Sequence, residues 1–250
     1  MYNPFTLENK TILVTGASSG IGRAIAVECS RMGAKVLLTA RNKERLVETL
    51  SLMDKPELHR IILCDLSEIG TLSELLDDIQ QPLDGVVHCA GFIVTKPFSF
   101  VKESEIDSIM GVNFKAPILL TQQLLKAKKL VRGSSVVFIS SISGVWISTV
   151  GNNLYAASKG AVNGIVMGIA LELAAKSIRV NCINPGMVNT HIMDNTAITD
   201  EQLKEDVKRY PLGRYGNPED VAYAAVYLLS DASSWMTGSN IKIDGGYTLL

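Results

Sequence analysis

Short, β-branched apolar runs alternate along the chain with longer segments whose apolar residues recur at helical spacing. This alternation predicts strands at Thr11–Thr15, Lys35–Thr39, Arg60–Cys64, Gly85–His88, Ser135–Ile139 and Ile178–Ile183. Between them it predicts helices from Arg23 to Met32, Asn42 to about Met53, Leu66 to Ile79, Glu103 to Lys129, and through the Tyr155 segment to Lys176. The strands are apolar on both faces, as they are in a parallel sheet covered by helices on two sides. The expected fold is α/β, a doubly wound (Rossmann) parallel sheet with helices on both faces. No repeat, low-complexity tract or Pro/Gly/Ser linker divides residues 1–250, so a single domain is expected. The rhythm breaks at 187–216, a polar stretch with a short helix predicted at Asp200 to Lys208. A connection of that length, directly after a strand and Asn184-Pro185-Gly186, reads as a substrate loop.

Composition narrows the classes. At 250 residues, 47% of them hydrophobic, the chain can bury a substantial core. A net charge of -1 gives no basic field to draw nucleic acid or anionic membrane. No apolar run approaches the ~18 residues of a span without a charge or Gly, and the start lacks a signal-peptide pattern. A cytoplasmic protein without a membrane or nucleic-acid partner is expected. Cys29, Cys64, Cys89 and Cys182 lack CxxC or ligand-spaced His, which fits buried free thiols and no metal site.

Three features carry candidate chemistry. Gly16, Gly20 and Gly22 lie between the first strand and the first helix, where glycines permit a tight turn and let a pyrophosphate approach the helix N-terminus. Their G-x-x-x-G-x-G spacing differs from the commoner G-x-G-x-x-G. The second strand ends Ala40-Arg41, with no acid for a ribose 2′-hydroxyl and a guanidinium suited to a 2′-phosphate, so NADP(H) is favoured over NAD(H). Tyr155 and Lys159 stand at i and i+4, which on a helix places them on one face. A phenol ordinarily keeps its proton until pH ~10, and a fixed cation one turn away favours phenolate. His88, ending an apolar strand, is expected to be packed rather than catalytic, and nothing near Cys89 suggests a redox nucleophile. A Ser-His-Asp hydrolase lacks a suitably placed His.

With the glycine turn, Ser140-Ser141 and Tyr155-x-x-x-Lys159 in place, the sequence resembles the short-chain dehydrogenase/reductase family over nearly its whole length. Matching positions include Thr15-Gly16-x-x-x-Gly20-x-Gly22, Asp65-Leu66, Ala90-Gly91, Asn113, Ser141, Tyr155, Lys159, Asn184-Pro185-Gly186-x-Val188-x-Thr190 and Asp244-Gly245-Gly246. The resemblance implies an oxidoreductase acting on ketones and secondary alcohols, with Tyr155 as acid and base, Lys159 beside it and Ser141 on the substrate oxygen. Asn113 would hold a water linking Lys159 to solvent. The cofactor would lie along Gly16, Ser18, Ser19, Gly20, Ile21 and Gly22, with Arg41 at the phosphate. Asp65 and Leu66 would meet the adenine, Ala90 and Gly91 the ribose, and Pro185, Gly186, Val188 and Thr190 the nicotinamide. The family commonly has Asn-Asn-Ala-Gly where this chain has His88-Cys89-Ala90-Gly91, which puts the bracing of the glycine turn in doubt. The likeness is strongest to 3-oxoacyl-acyl-carrier-protein reductases, in which cations at the positions of Arg132 and Lys176 dock the carrier. Sugar and steroid alcohol dehydrogenases share the motifs, and a non-catalytic nucleotide sensor is the alternative outside enzymes. Trp146, Ile147, Val150, Met187, Ile192 and Met193 would line an apolar mouth. A homotetramer is implied, through the long helix with Ala161, Gly164, Val166 and Gly168 and through the end Ile241 to Leu250.

Overall fold

The computed structural model describes residues 2–190 and 200–250. Seven parallel strands form one sheet in the order β3-β2-β1-β4-β5-β6-β7. They are β1 Thr11–Thr15, β2 Lys35–Ala40, β3 Arg60–Leu63, β4 Leu83–His88, β5 Leu130–Ile139, β6 Arg179–Pro185 and β7 Asn240–Ile243. The described α-helices are α1 Gly20–Arg31, α2 Lys43–Ser51, α3 Leu72–Asp78, α4 Glu103–Met110, α5 Ala116–Lys126, α6 Asn153–Leu173, α7 Asp200–Val207 and α8 Pro218–Leu229. Successive strand residues feed opposite cores. Ile12, Val14, Val36, Leu38, Val87, Val137 and Ile183 pack with α1 and α8, whereas Leu13, Leu37, Val86, Val136 and Val180 pack with α3, α5 and α6. With both faces covered, neither set of alternating positions can be polar, which explains the unbroken apolar runs.

The chain runs outward from β1 to β2 and β3, then crosses to β4 on the other side of β1. That reversal opens a crevice at the carboxyl ends of β1 and β4, the place where doubly wound sheets take ligands.

Two elements fall outside the sequence expectations. Helix α8 has clear start signals: Pro218 at its first turn, and Asp220 Oδ2 accepting the Asn217 N–H at 2.7 Å. Strand β7 is four residues long and pairs with β6 through Ile183↔Ile241 and Pro185↔Ile243, so the start of the apolar end lies within this chain's own sheet. The predicted helix from Leu66 is shorter, its α-helical part starting at Leu72.

The expected helix from Glu103 to Lys129 divides into α4, a π turn at Gly111–Lys115, and α5. Pro117 has no N–H to offer the Asn113 carbonyl four residues back, so the α-helical ladder cannot run through this turn. A wider turn replaces it, with the Ala116 N–H reaching Gly111 O. By length and composition Asn153–Lys176 could cross a membrane, at mean hydropathy 1.3. In the fold α6 lies against β6 and buries Lys159, Val162, Val166 and Ala170.

Candidate active site

The glycine turn is fixed by contact with the loop after β4. Gly16 takes φ +68°, and a Cβ there would lie 2.9 Å from Ala90 Cα; at Gly22 it would lie 2.2 Å from Gly16 O. Only glycine fits either contact. The loop after β4 is held to β1 by Thr15, whose Oγ1 accepts the Cys89 N–H at 3.0 Å and the Ala90 N–H at 3.2 Å, bonds that use only the main chain at position 89.

Ser19 caps α1 in extended conformation without a side-chain hydrogen bond, and the first turn of the helix carries no acid. The amides there are free to meet an anion, as a pyrophosphate requires. Ser18 lends its carbonyl to Arg23 at 2.8 Å, and Thr190 packs so close to Gly20 that a Cβ on the glycine would meet its methyl at 3.1 Å. Ile21 is half-buried beside Gly22. Gly16-Ala17-Ser18-Ser19-Gly20 also spells the G-x-S-x-G of a hydrolase nucleophile turn. The imidazoles among the described residues stand elsewhere: His59 is bonded to Asp54 O and the Val36 N–H, and His88 to Thr121.

At the adenosine end, Arg41 is exposed after β2. Asp65 accepts the Ser67 N–H at 2.9 Å and its hydroxyl at 2.7 Å. These bonds, backbone first, and the nearby Arg41 charge hold its carboxyl below the usual range. Leu66 beside it is buried.

The catalytic candidates converge at the ends of β4, β5 and β6. Lys159 is 5% exposed, its Nζ donating to Ile139 O at 2.8 Å and lying 5.6 Å from the Tyr155 ring centroid. An ammonium has three protons, so two remain for a ligand. Gly91 closes this corner: a Cβ there would sit 3.1 Å from Asn113 Oδ1 and 3.5 Å from Lys159 Nζ. The Asn113 carboxamide is engaged by the Phe92 N–H (3.0 Å), Phe92 O (2.9 Å) and Ser158 Oγ (3.1 Å), tying the π turn to α6.

The paired serines divide their work. Ser140 Oγ donates to Lys159 O at 2.9 Å and accepts from Asn163 Nδ2 at 2.9 Å, so its proton is spent inside the fold. Ser141 Oγ accepts the Ser143 N–H at 3.1 Å and keeps its own proton to give. Pro185, Gly186 and Val188 follow on β6, where Pro185 O accepts the Ile142 N–H at 3.1 Å and Val188 bridges to Gly216.

The apolar mouth is not assembled as expected. Trp146 and Ile147 line a groove of about 500 Å³ with Ala156, Ala157 and Gly160 on the flank of α6, and Trp146 lies 5.6 Å from Lys242 Nζ. Val150 is fully open to solvent, Met187 is exposed just beyond β6, and Ile192 and Met193 lie outside the described residues. A tyrosine cluster absent from the sequence expectations supports Met187: the Tyr210 hydroxyl accepts its N–H at 3.2 Å, and the Tyr210 ring packs on Tyr215 and Tyr247. A separate cleft of about 550 Å³ runs along α1, between Arg23 and Arg31 on one side and Thr190 and Pro218 on the other.

A parallel doubly wound sheet with a glycine-rich first crossover packed on the Ala90-Gly91 loop, and a Tyr–Lys pair whose lysine reaches the same loop, defines a dinucleotide-binding oxidoreductase of the Rossmann type. The family model described as Enoyl-(Acyl carrier protein) reductase matches residues 16–248. A tropinone reductase homolog of Arabidopsis thaliana is 34% identical over 255 residues, covering 98% of this chain and 94% of its own. The 3-oxoacyl-[acyl-carrier-protein] reductase FabG of Thermotoga maritima is 34% identical, covering 97% of this chain and 99% of its own. An Agrobacterium tumefaciens protein assigned as a 2-deoxy-d-gluconate 3-dehydrogenase, with bound NADP, superposes at TM-score 0.89 with 33% identity over 100% of both chains. The chain belongs to the short-chain dehydrogenase/reductase family, and is an oxidoreductase of CH–OH groups that uses NAD(P).

Proposed function

We propose that this protein is an NADP(H)-dependent oxidoreductase interconverting a ketone and a secondary alcohol. The reading is carried by the buried Lys159 ammonium against the Tyr155 ring, behind a glycine turn built for pyrophosphate. When bound, the nicotinamide dinucleotide supplies the hydride or takes it back. Tyr155 gives its hydroxyl proton to the substrate oxygen in reduction and recovers it in oxidation, the Lys159 charge stabilising the phenolate. Ser141 donates its free proton to the same oxygen as negative charge builds there. Asn113 Oδ1 accepts the Phe92 N–H and keeps a second lone pair at the corner it shares with Lys159 beside Gly91, so it would hold the water that relays protons from Lys159.

Gly16, Ser18, Ser19, Gly20, Ile21 and Gly22 hold the pyrophosphate, Arg41 the 2′-phosphate, and Asp65 with Leu66 the adenine. Ala90, Gly91 and Lys159 meet the ribose, and Pro185, Gly186, Val188 and Thr190 the nicotinamide. One domain carries both the cofactor and the substrate sites. The four free cysteines suit a reducing cytoplasm.

The names of the relatives suggest a 3-oxoacyl thioester or a sugar acid as substrate. Arg132 donates to Ala175 O, next to Lys176, so these cations share one site, about 30 Å along α6 from Tyr155. A carrier docked there reaches an active site only if a second copy packs antiparallel on α6. The exposed Ala157, Gly164, Met167, Gly168 and Leu171 on that helix support such a contact within a homotetramer, which sedimentation velocity would test.

The decisive experiment follows NADPH absorbance over 3-oxoacyl thioesters, α,β-unsaturated thioesters, keto-gluconates and steroid ketones, with wild type and Tyr155→Phe. A ketone should be reduced, and the variant should lose about 100- to 10,000-fold in kcat while binding NADPH normally. Turnover surviving in the variant removes Tyr155 as the acid. Consumption of the unsaturated thioester alone would make the protein an enoyl reductase, and cofactor binding without any turnover a sensor.

A further inference from the structure

We infer that Gly144 is a positioning residue that sets Ser141 against Tyr155; the inference rests on the role of Ser141 proposed above. The segment from Ser140 to Ile147 extends β5 past the sheet, with the Ser140 N–H bonded to Ile183 O at 2.8 Å and the Ile142 N–H to Pro185 O at 3.1 Å. It then closes on itself: the Gly144 N–H reaches Ile147 O at 2.9 Å and the Trp146 N–H reaches Ile142 O at 3.1 Å. The closed turn fixes the Ser143 N–H on Ser141 Oγ.

Two contacts seat this turn on α6, one on each side of Ser141. Ser140 Oγ bonds Lys159 O. On the other side Gly144, at φ +96°, lies with its backbone against the helix: a Cβ there would stand 2.1 Å from Ala156 O and 2.8 Å from Gly160 N. Gly160 returns the contact, since its own Cβ position is 3.1 Å from Gly144 O. The seat therefore spans positions 156 to 160 of α6, within one turn of Tyr155 and Lys159. The placement of the Ser141 hydroxyl relative to the phenol is thus set on one side by the Ser140 side-chain bond and on the other by backbone meeting backbone at Gly144, where no side chain can yield. A methyl group at Gly144 must lift the turn by about 1 Å, a displacement that can cost 100-fold in rate when reacting groups are misaligned.

The test is a cycle of Gly144→Ala, Ser141→Ala and the double variant, measured for kcat, KM and NADPH Kd on the best ketone of the panel. Gly144→Ala should lose about 100-fold in kcat with NADPH Kd within about threefold of wild type. Added to Ser141→Ala it should change kcat by less than about threefold, because the group it positions is gone. Multiplicative losses in the double variant, or full activity of Gly144→Ala, overturn the inference. Should Gly144→Ala not bind NADPH, Gly160→Ala makes the same push more gently and should lower kcat several-fold, again only while Ser141 is present; no such loss, or one that persists on Ser141→Ala, overturns it too. A fully active Ser141→Ala would instead refute the parent reading of Ser141.

Discussion

Among the described residues, His88 is the one through which mild acid should destabilise this fold. Its ring is 4% exposed and stacked on Phe138 at 4.8 Å. Thr121 Oγ1 donates to Pro117 O, so His88 Nε2 must donate to Thr121 at 2.8 Å, and Nδ1 has no partner among the described residues. A second proton would sit on that buried Nδ1 with nothing to accept it. Burial accordingly pushes the imidazole down from 6.5 to about 3. Between those values the unfolded chain binds the additional proton and the folded chain does not, so stability falls as pH falls. From pH 7.5 to 5 the loss works out at about 2 kcal/mol. Asp65, held low by Ser67, and Asp220, held low by bonding to Arg214, lose their stabilisation only below their ordinary 3.8, outside this window. Urea denaturation of wild type and His88→Asn at pH 7.5, 6 and 5 isolates the effect. The amide can keep the bond to Thr121 but leaves a void, so the variant should be about 1–3 kcal/mol less stable at pH 7.5. Its decline toward pH 5 should nevertheless be about 2 kcal/mol shallower. Parallel pH profiles, within about 0.5 kcal/mol, would refute the assignment.

Three other perturbations read out the cofactor site. Gly22→Ala drives a methyl into Gly16 O, 2.2 Å from the Cβ position, and should weaken NADPH binding at least about tenfold by fluorescence titration while circular dichroism is unchanged. Thr15→Val strips the Cys89 and Ala90 N–H groups of their acceptor; chemical denaturation should show a loss of about 2–4 kcal/mol, and a loss under about 0.5 would mean other acceptors replace it. Arg41→Ala should raise the NADPH Kd about 10- to 100-fold and leave NADH nearly unchanged, and equal losses would overturn the phosphate assignment.

Much of this site was legible along the chain because it is local. Gly16, Gly20 and Gly22 lie within one turn and helix start, Tyr155 and Lys159 one helical turn apart, and the apolar runs record a sheet covered on two faces. Helix α8 went unpredicted although Asn217-Pro218-Glu219-Asp220 carries its start signal, whereas β7 is too short for periodicity to separate from a tail.

What the tertiary structure decided are contacts between residues remote in sequence. Thr15 braces Cys89 and Ala90 from 74 and 75 residues away, a bond that no local pattern encodes. The roles of Ser140 and Ser141 are indistinguishable as letters and separate only where α6 lies against the end of β5. Trp146 and Ile147 look like a substrate mouth in sequence yet turn to the flank of α6, because Gly144 seats that turn against the helix backbone. Spacing along the chain determines which face of an element a residue shares, but which group stands opposite it depends on how the elements dock.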